Sequence, residues 1–307
     1  MTTSFKRTFF SPAHDQDSSN KYLFPEEAIL AINVALSTNR PLLVKGLPGT
    51  GKSSIAKGIA STLGWQCLAQ VVTSRTRARD LLWQFDAVKR LSDAQIRDRD
   101  LPPPETYVRP GVLWRAFDPS SAMLYPLAKN SQPAVNTQVV APGCVVTIDE
   151  IDKADTELPN DLLDVIEHGR FTVDDLYPTL EVRGDRRKVL PVFATNGERE
   201  MPAAFVRRCV VLTLPAPDED WLVRVAVLHR GEECRQDARA VAKLTIEVCK
   251  RAQELGQRLP GTAEFLDALQ ACQDLQIRPS SKSSGWLLVE RVVLLKSMSN
   301  ESDDGTP

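Results

Sequence analysis

The stretch Pro41-Leu-Leu-Val-Lys-Gly46-Leu-Pro-Gly-Thr-Gly51-Lys52-Ser53-Ser-Ile-Ala reads as a short apolar strand, a glycine-rich loop and the first turn of a helix. Gly46, Gly51, Lys52 and Ser53 satisfy the spacing G-x-x-x-x-G-K-[ST] of a phosphate-binding loop. Glycines let the backbone curl so that successive N–H groups face one hollow. The helix that starts there adds the positive end of its dipole. Lys52 supplies a point charge for β- and γ-phosphates, and the Ser53 hydroxyl can ligate Mg²⁺.

Working outward, an apolar run ends in two acids at Cys144-Val-Val-Thr-Ile-Asp149-Glu150. Such a run suits a strand buried on both faces of a parallel sheet. Its acids then fall at the carboxyl edge, where open α/β sheets bind ligands. Asp149 can hold Mg²⁺, and Glu150 can act as general base on the water that attacks a γ-phosphate. A second apolar strand, Val189-Leu-Pro-Val-Phe-Ala-Thr195-Asn196, ends in an amide that could orient that water or simply start a turn. Arg207 and Arg208 close a short helix before a further strand. Either could stabilise transition-state charge on a neighbour's γ-phosphate, or be a solvated pair at a helix end.

The rest of the chain places these motifs. Helical spacing covers Pro25–Leu36, Ser53–Leu63, Arg77–Leu91 and Glu157–His168, and a short helix is expected over Val112–Phe117. Strands are expected over Gln66–Val72, Cys144–Ile148, Val189–Ala194 and Cys209–Leu214 beside the one at Pro41, with a hairpin over Phe171–Val182. Asp118–Pro142 reads as a long loop. After Pro215 strand-like runs stop and helical patterns follow at Asp218–Arg230, Arg239–Leu255, Thr262–Leu275 and Trp286–Ser297. A doubly wound α/β domain followed by a helical domain is the reading. The expected limits are a flexible arm over 1–20, the nucleotide-binding domain over 21–215, the helical lid over 216–297 and a disordered tail over 298–307.

Composition narrows the function classes. Of 307 residues, 42% are hydrophobic and 25% charged, which is ordinary for a globular protein. A net charge of −2 supplies no global basic field, which argues against a nucleic-acid motor. The six cysteines are scattered without paired metal-ligand spacing and suit a reducing compartment. Residues 1–20 lack the apolar core of a signal peptide, and Trp286–Leu295 is too short and too charged to span a bilayer. A cytoplasmic location is expected. Arg75, Arg77 and Arg79 read as a solvated helix start, and Trp83 and Phe85 as core packing.

The segments PLLVKGLPGTGKSSIA (41–56), TSRTRARDLLWQFDAVKRL (73–91), VVTIDEIDKADTELPNDLLDVIEHGRF (145–171) and ATNGEREMPAAFVRRC (194–209) together resemble AAA+ ATPases, and within them the MoxR-like group. The resemblance spans about residues 20–215 and, loosely, the lid. It implies a P-loop α/β core with a five-stranded parallel sheet and a small all-helical lid. It implies ATP and Mg²⁺ as ligands, with Gly46, Pro48, Gly49, Thr50, Gly51, Lys52, Ser53 and Ser54 as the Walker A loop. Asp149 and Glu150 match Walker B, and Asn196 matches sensor 1. Arg208 matches the arginine finger better than Arg207. The Tyr22–Leu23 backbone would lie near adenine. A finger acting in trans implies a homo-oligomeric ring, with a hexamer favoured. Relatives of this group commonly act as chaperones beside a protein client or a von Willebrand A-domain partner. The sequence departs from the pattern at sensor 2, where Ser280-Ser281-Lys282 offers a lysine without the family's Ser-Pro pair and arginine, and Arg278 lies nearby. The expected function is Mg²⁺-dependent ATP hydrolysis that remodels a partner. A nucleotide-gated scaffold with little turnover is the alternative from another class, and a nucleic-acid motor or loader is a third.

Overall fold

A computed structural model describes residues 10–11, 21–96, 100–125 and 141–296. The expected tail over 298–307 lies outside the described residues, as do the expected arm over 1–20, apart from Phe10 and Ser11, and most of the expected loop over 118–142. The described chain divides into two compact units: 10–11, 24–46 and 52–214 in the first, and 21–23, 47–51 and 215–296 in the second.

The first unit is built on a five-stranded parallel sheet, as expected. Its strands are β1 (Leu42–Lys45), β2 (Gln66–Val71), β5 (Cys144–Asp149), β8 (Val189–Thr195) and β9 (Val210–Thr213), in the order β2-β5-β8-β1-β9. Every pairing in it is parallel. β8 is buried along all seven residues, and β5 along all but Asp149. This is why both read as continuous apolar runs rather than alternating ones. Helices Lys52–Leu63 and Leu158–His168 each stop at a glycine in the left-handed region, Gly64 (φ 64°) and Gly169 (φ 65°). Phe193 of β8 meets Phe205 edge-on at 4.9 Å, both fully buried.

Two antiparallel ribbons stand apart from the main sheet. β6 (Arg170–Val173) and β7 (Leu180–Arg183) form the hairpin expected near 171–182. β3 (Trp83–Phe85) and β4 (Val108–Pro110) form the other, and they correct the expected helix over Arg77–Leu91. That stretch is a helix over Ala78–Leu82, the strand β3, and a helix over Ala87–Ala94 whose N-cap is Asp86. The helical apolar spacing fails because Trp83 turns into the core and stacks on Phe171, while Val88 is 81% exposed. Pairing with β4 and the buried indole outweigh local helix propensity.

The second unit is helical beyond Pro215: Glu219–Arg230, Arg235–Glu254, Thr262–Asp274 and Ser284–Val289, the last widening into π-helical turns over Glu290–Leu295. Leu222, Val241, Phe265, Leu269 and Trp286 form its apolar centre. The second of these helices starts earlier than the expected Arg239, because a 3₁₀ turn over Glu232–Cys234 leads straight into it. Glu264 is buried there and accepts hydrogen bonds from the Gly261 amide (3.0 Å) and Arg258 (2.6 Å). Lys296 adds a third at 3.1 Å. Among the described residues no helix is long and apolar enough to cross a membrane.

Candidate functional site

The sheet order decides what meets at its carboxyl edge. β8 lies between β1 and β5, with Lys45 opposite Thr195 and Ile148 opposite Phe193. Gly46, Asp149 and Asn196 therefore leave three adjacent parallel strands at the same end. This is where open α/β sheets bind ligands.

Within the first unit, Lys52 opens the helix Lys52–Leu63 and is itself buried at 7% exposure. Its Nζ donates to the Gly46 carbonyl at 2.9 Å. Burial pulls its pKa down, and the charges of Asp149, Asp152 and Glu150 pull the other way. A desolvated ammonium gains more from an incoming phosphate than a solvated one does. Ser53, one residue on, donates from its hydroxyl to Asp149 Oδ2. The other oxygen of that carboxylate accepts the Glu150 amide at 2.9 Å.

This pair of hard oxygen donors fits Mg²⁺. Among the described residues no group of three or more His, Cys, Asp or Glu could hold a metal alone. Such a sparse donor set suits an ion that shares its coordination with substrate phosphates and water.

Glu150 has φ 59° and ψ 38°, left-handed backbone for a residue with a side chain. That conformation costs of order 1–3 kcal/mol and collects at functional sites. It turns the chain sharply out of β5 into a 3₁₀ turn over Ile151–Lys153. The Glu150 carboxylate accepts from Lys153 Nζ at 2.8 Å, and that bond raises the lysine pKa. Asp152, in the same turn, is 2% exposed. Its Oδ2 accepts the amides of Asn196 (3.1 Å) and Glu198 (3.0 Å). Asn196 is thereby tied to the turn that carries Glu150.

Arg207 and Arg208 end the helix Ala203–Arg208 before β9, and both are exposed. Arg208 Nε lies 3.2 Å from Glu167 Oε2. The Arg207 carbonyl accepts from Arg40 at 2.7 Å.

Within the second unit are Pro48, Gly49, Thr50 and Gly51. The Thr50 hydroxyl donates to the Leu47 carbonyl at 2.9 Å, holding the bend closed. Gly49 (φ 80°) has its carbonyl on the Thr262 amide at 2.9 Å, and a Cβ on it would sit 2.5 Å from Gly261 Cα. A Cβ on Gly51 would lie 3.3 Å from the Tyr22 ring, whose phenol is pushed upward in pKa by burial. Lys282 and Arg278 are exposed. Lys282 directly precedes Ser283, whose hydroxyl accepts the Trp286 amide at the start of its helix (3.4 Å).

Asp152, Lys153 and the contact of Gly49 with Gly261 were not singled out by sequence. A third acid three residues after Asp149 was visible as a signal; its burial was not. The arginines at 75, 77 and 79 are exposed, as expected of a solvated helix start. Arg77, Arg79 and Arg109, with Trp83, Phe85 and Tyr107, line an open cleft of about 660 Å³ at β3 and β4. Arg79 is held there by Asp175 and lies 5.1 Å over the Trp83 ring.

Over a short segment the chain is 29% identical to an aerobic cobaltochelatase subunit CobS from Sinorhizobium, across 113 residues, 37% of this chain. The match spans 31% of that relative, about a third of its length. Among solved structures, the Thermotoga maritima RuvB Holliday junction branch migration motor matches with a TM-score of 0.45 and 15% identity, over 86% of this chain and 66% of that one. A point mutant of the same RuvB matches with a TM-score of 0.47 and 15% identity, over 92% and 73%. The model of the AAA domain, dynein-related subfamily, matches residues 41–209, more than half of the chain and the whole span from β1 to the end of the helix before β9. The chain therefore belongs to the AAA domain family, dynein-related subfamily.

Proposed function

We infer that this protein is a Mg²⁺-dependent ATPase of the MoxR-like group, working as a homo-oligomeric ring that uses ATP turnover to remodel or activate a partner protein. The observation that carries the reading is the hydrogen bond from Ser53 to Asp149, which joins the phosphate loop to the acidic strand end. Nucleoside triphosphates bound there would meet backbone amides of the Gly46–Ser54 loop, Pro48 excepted because it has no N–H, and the Lys52 ammonium. Ser53 and Asp149 would hold Mg²⁺, which would supply positive charge to offset that of the phosphates. Glu150 takes the proton of the attacking water, and Asn196 orients that water. Arg208, exposed and paired only with a surface carboxylate among its described contacts, is free to exchange Glu167 for a neighbour's γ-phosphate. That supports a ring in which each site is completed in trans. Similarity to a subunit of a chelatase supports work inside a larger assembly. The resemblance to the MoxR-like group implies a protein client or a von Willebrand A-domain partner there. Six free cysteines suit the cytoplasm.

The test is phosphate release by wild type and Glu150→Gln at low and high protein concentration, beside binding of a fluorescent ATP analogue. Loss of a general base predicts a fall of about 10²–10⁴ in turnover with binding kept. A trans finger predicts that specific activity rises with concentration. Wild type with no release above the variant at any concentration would remove the reading. The Glu150–Lys153 ion pair favours a second reading, a nucleotide-gated scaffold. A Glu150→Gln protein that keeps biological function while Lys52→Ala loses it would select the scaffold.

A further inference from the structure

The parallel ladder between β5 and β8 ends at the pair Ile148 and Phe193. Beyond that pair the two strands no longer pair with each other: Asp149 pairs only with Val71 of β2 and Thr195 only with Lys45 of β1, and the chains then turn away through the left-handed Glu150 and through Asn196 and Gly197 (φ 78°). These are the segments that carry the hydrolytic side chains. No ladder bond fixes one against the other. Asp152 does so instead, through Oδ2 on the amides of Asn196 and Glu198. Arg199 adds a weaker tie to the Ala154 carbonyl at 3.4 Å. The Thr195 hydroxyl, accepting the Gly197 amide at 3.0 Å, stiffens the second turn from within.

A carboxylate is a costly way to fill buried space. Asp152 is 2% exposed, and its Oδ1 has no hydrogen-bond partner among the described residues. A residue kept only for packing would be apolar at this depth. The retained charge does two things that an apolar side chain could not. It accepts two amides with one charge-assisted oxygen, and it adds negative potential near Lys52, on which its charge acts.

We propose that Asp152 is a positioning residue of the hydrolytic site, clamping the turn after β8 to the turn after β5 so that Asn196 and Glu150 keep one relative geometry. It does not touch substrate; it acts through those two residues. The proposal rests on the ATPase reading for its kinetic consequence, but the clamp itself has a separate readout. Holding reacting groups in register raises the chemical step rather than uniform binding.

The experiment compares Asp152→Ala, Asp152→Ser and Asp152→Asn in the full chain. Asparagine keeps a carbonyl oxygen with two lone pairs, able to accept both amides; alanine keeps none, and the serine hydroxyl is too short to span the gap. With Ala or Ser, kcat falls about 10–100-fold, the range seen for supporting-shell losses elsewhere, while the Kd of a fluorescent ATP analogue stays within about threefold. Asn restores kcat to within about threefold of wild type. Amide exchange at Asn196 and Glu198 accelerates by at least about tenfold in Ala and Ser, but not in Asn, while Val192–Ala194 stay protected. If Ala does not fold, Ser and Asn decide the matter. Unchanged exchange in Ser, an Asn protein as impaired as Ser, or a rise in Kd with kcat intact overturns the clamp. Should wild type show no turnover above Glu150→Gln, the ATPase reading falls, and the exchange data alone still judge Asp152.

Discussion

The contact between Gly49 and Gly261 can be taken apart with three substitutions inside the second unit. Gly49→Ala meets two obstacles. Its φ of 80° lies where a Cβ is disfavoured, and the new carbon would sit 2.5 Å from Gly261 Cα. Gly261→Ala meets only the second, since φ is −103° and the added carbon lies 2.4 Å from Gly49 Cα. Gly256→Ala meets only the first, with φ 64° and nothing within 4 Å. A left-handed alanine costs about 1–2 kcal/mol, partly offset by about 0.4–1 kcal/mol from a less flexible unfolded chain, leaving about 1 kcal/mol for Gly256→Ala. Forcing a carbon into a closed backbone contact costs about 1–3 kcal/mol, the expectation for Gly261→Ala. Gly49→Ala combines the two, about 2–4 kcal/mol. The double variant costs less than the sum of its parts, because a single separation of the two backbones relieves both carbons.

Urea unfolding followed by helicity gives the energies. Exchange of the Thr262 amide, which donates to the Gly49 carbonyl at 2.9 Å, reports the contact itself. Faster Thr262 exchange is expected in Gly49→Ala and Gly261→Ala and not in Gly256→Ala. A Gly49→Ala protein no less stable than Gly256→Ala, or a Gly261→Ala protein with wild-type Thr262 exchange, would refute the reasoning.

Two further outcomes follow from the cores of the units. Burial works to raise the Glu264 pKa, but the hydrogen bond from Lys296 and the backbone amides of Glu264 and Gly261 outweigh it and hold the carboxyl below its usual 4.5. A depressed carboxyl contributes stability above the unfolded value that is lost as pH falls through the folded one. Glu264→Gln should therefore cost about 1–2 kcal/mol at neutral pH and flatten the acid limb of unfolding below pH 4.5, checked by urea melts across pH. Phe193→Ala removes a fully buried ring from the middle of β8 and should cost about 3–5 kcal/mol in the first unit, measured by chemical denaturation.

The sheet was legible because its strands are buried on both faces, so Cys144–Ile148 and Val189–Ala194 show as unbroken apolar runs. The observed helices Glu26–Thr38 and Leu158–His168 were legible from their apolar spacing. The reading failed over Arg77–Leu91, where Leu81, Leu82 and Phe85 match a helical face while the chain folds into helix, strand and helix. The partner that decides this, Val108–Pro110, lies more than twenty residues away in sequence. No local propensity reports a pairing of that kind.

The site divides in the same way. Lys52, Ser53, Asp149, Glu150 and Asn196 could be picked from sequence as candidates because phosphate and Mg²⁺ chemistry favours those residue types at strand ends and at the start of the following helix. Short-range covalent spacing carries that demand directly. The strand order, the burial of Asp152, the left-handed turn at Glu150 and its bond to Lys153 depend on which strands lie side by side. So does the approach of Gly49 to Gly261, set by backbones more than two hundred residues apart in the chain. Sequence alone singled out the candidate groups. Only tertiary structure decided how those groups are held, because desolvation and hydrogen bonding between distant segments come into being when the chain is folded.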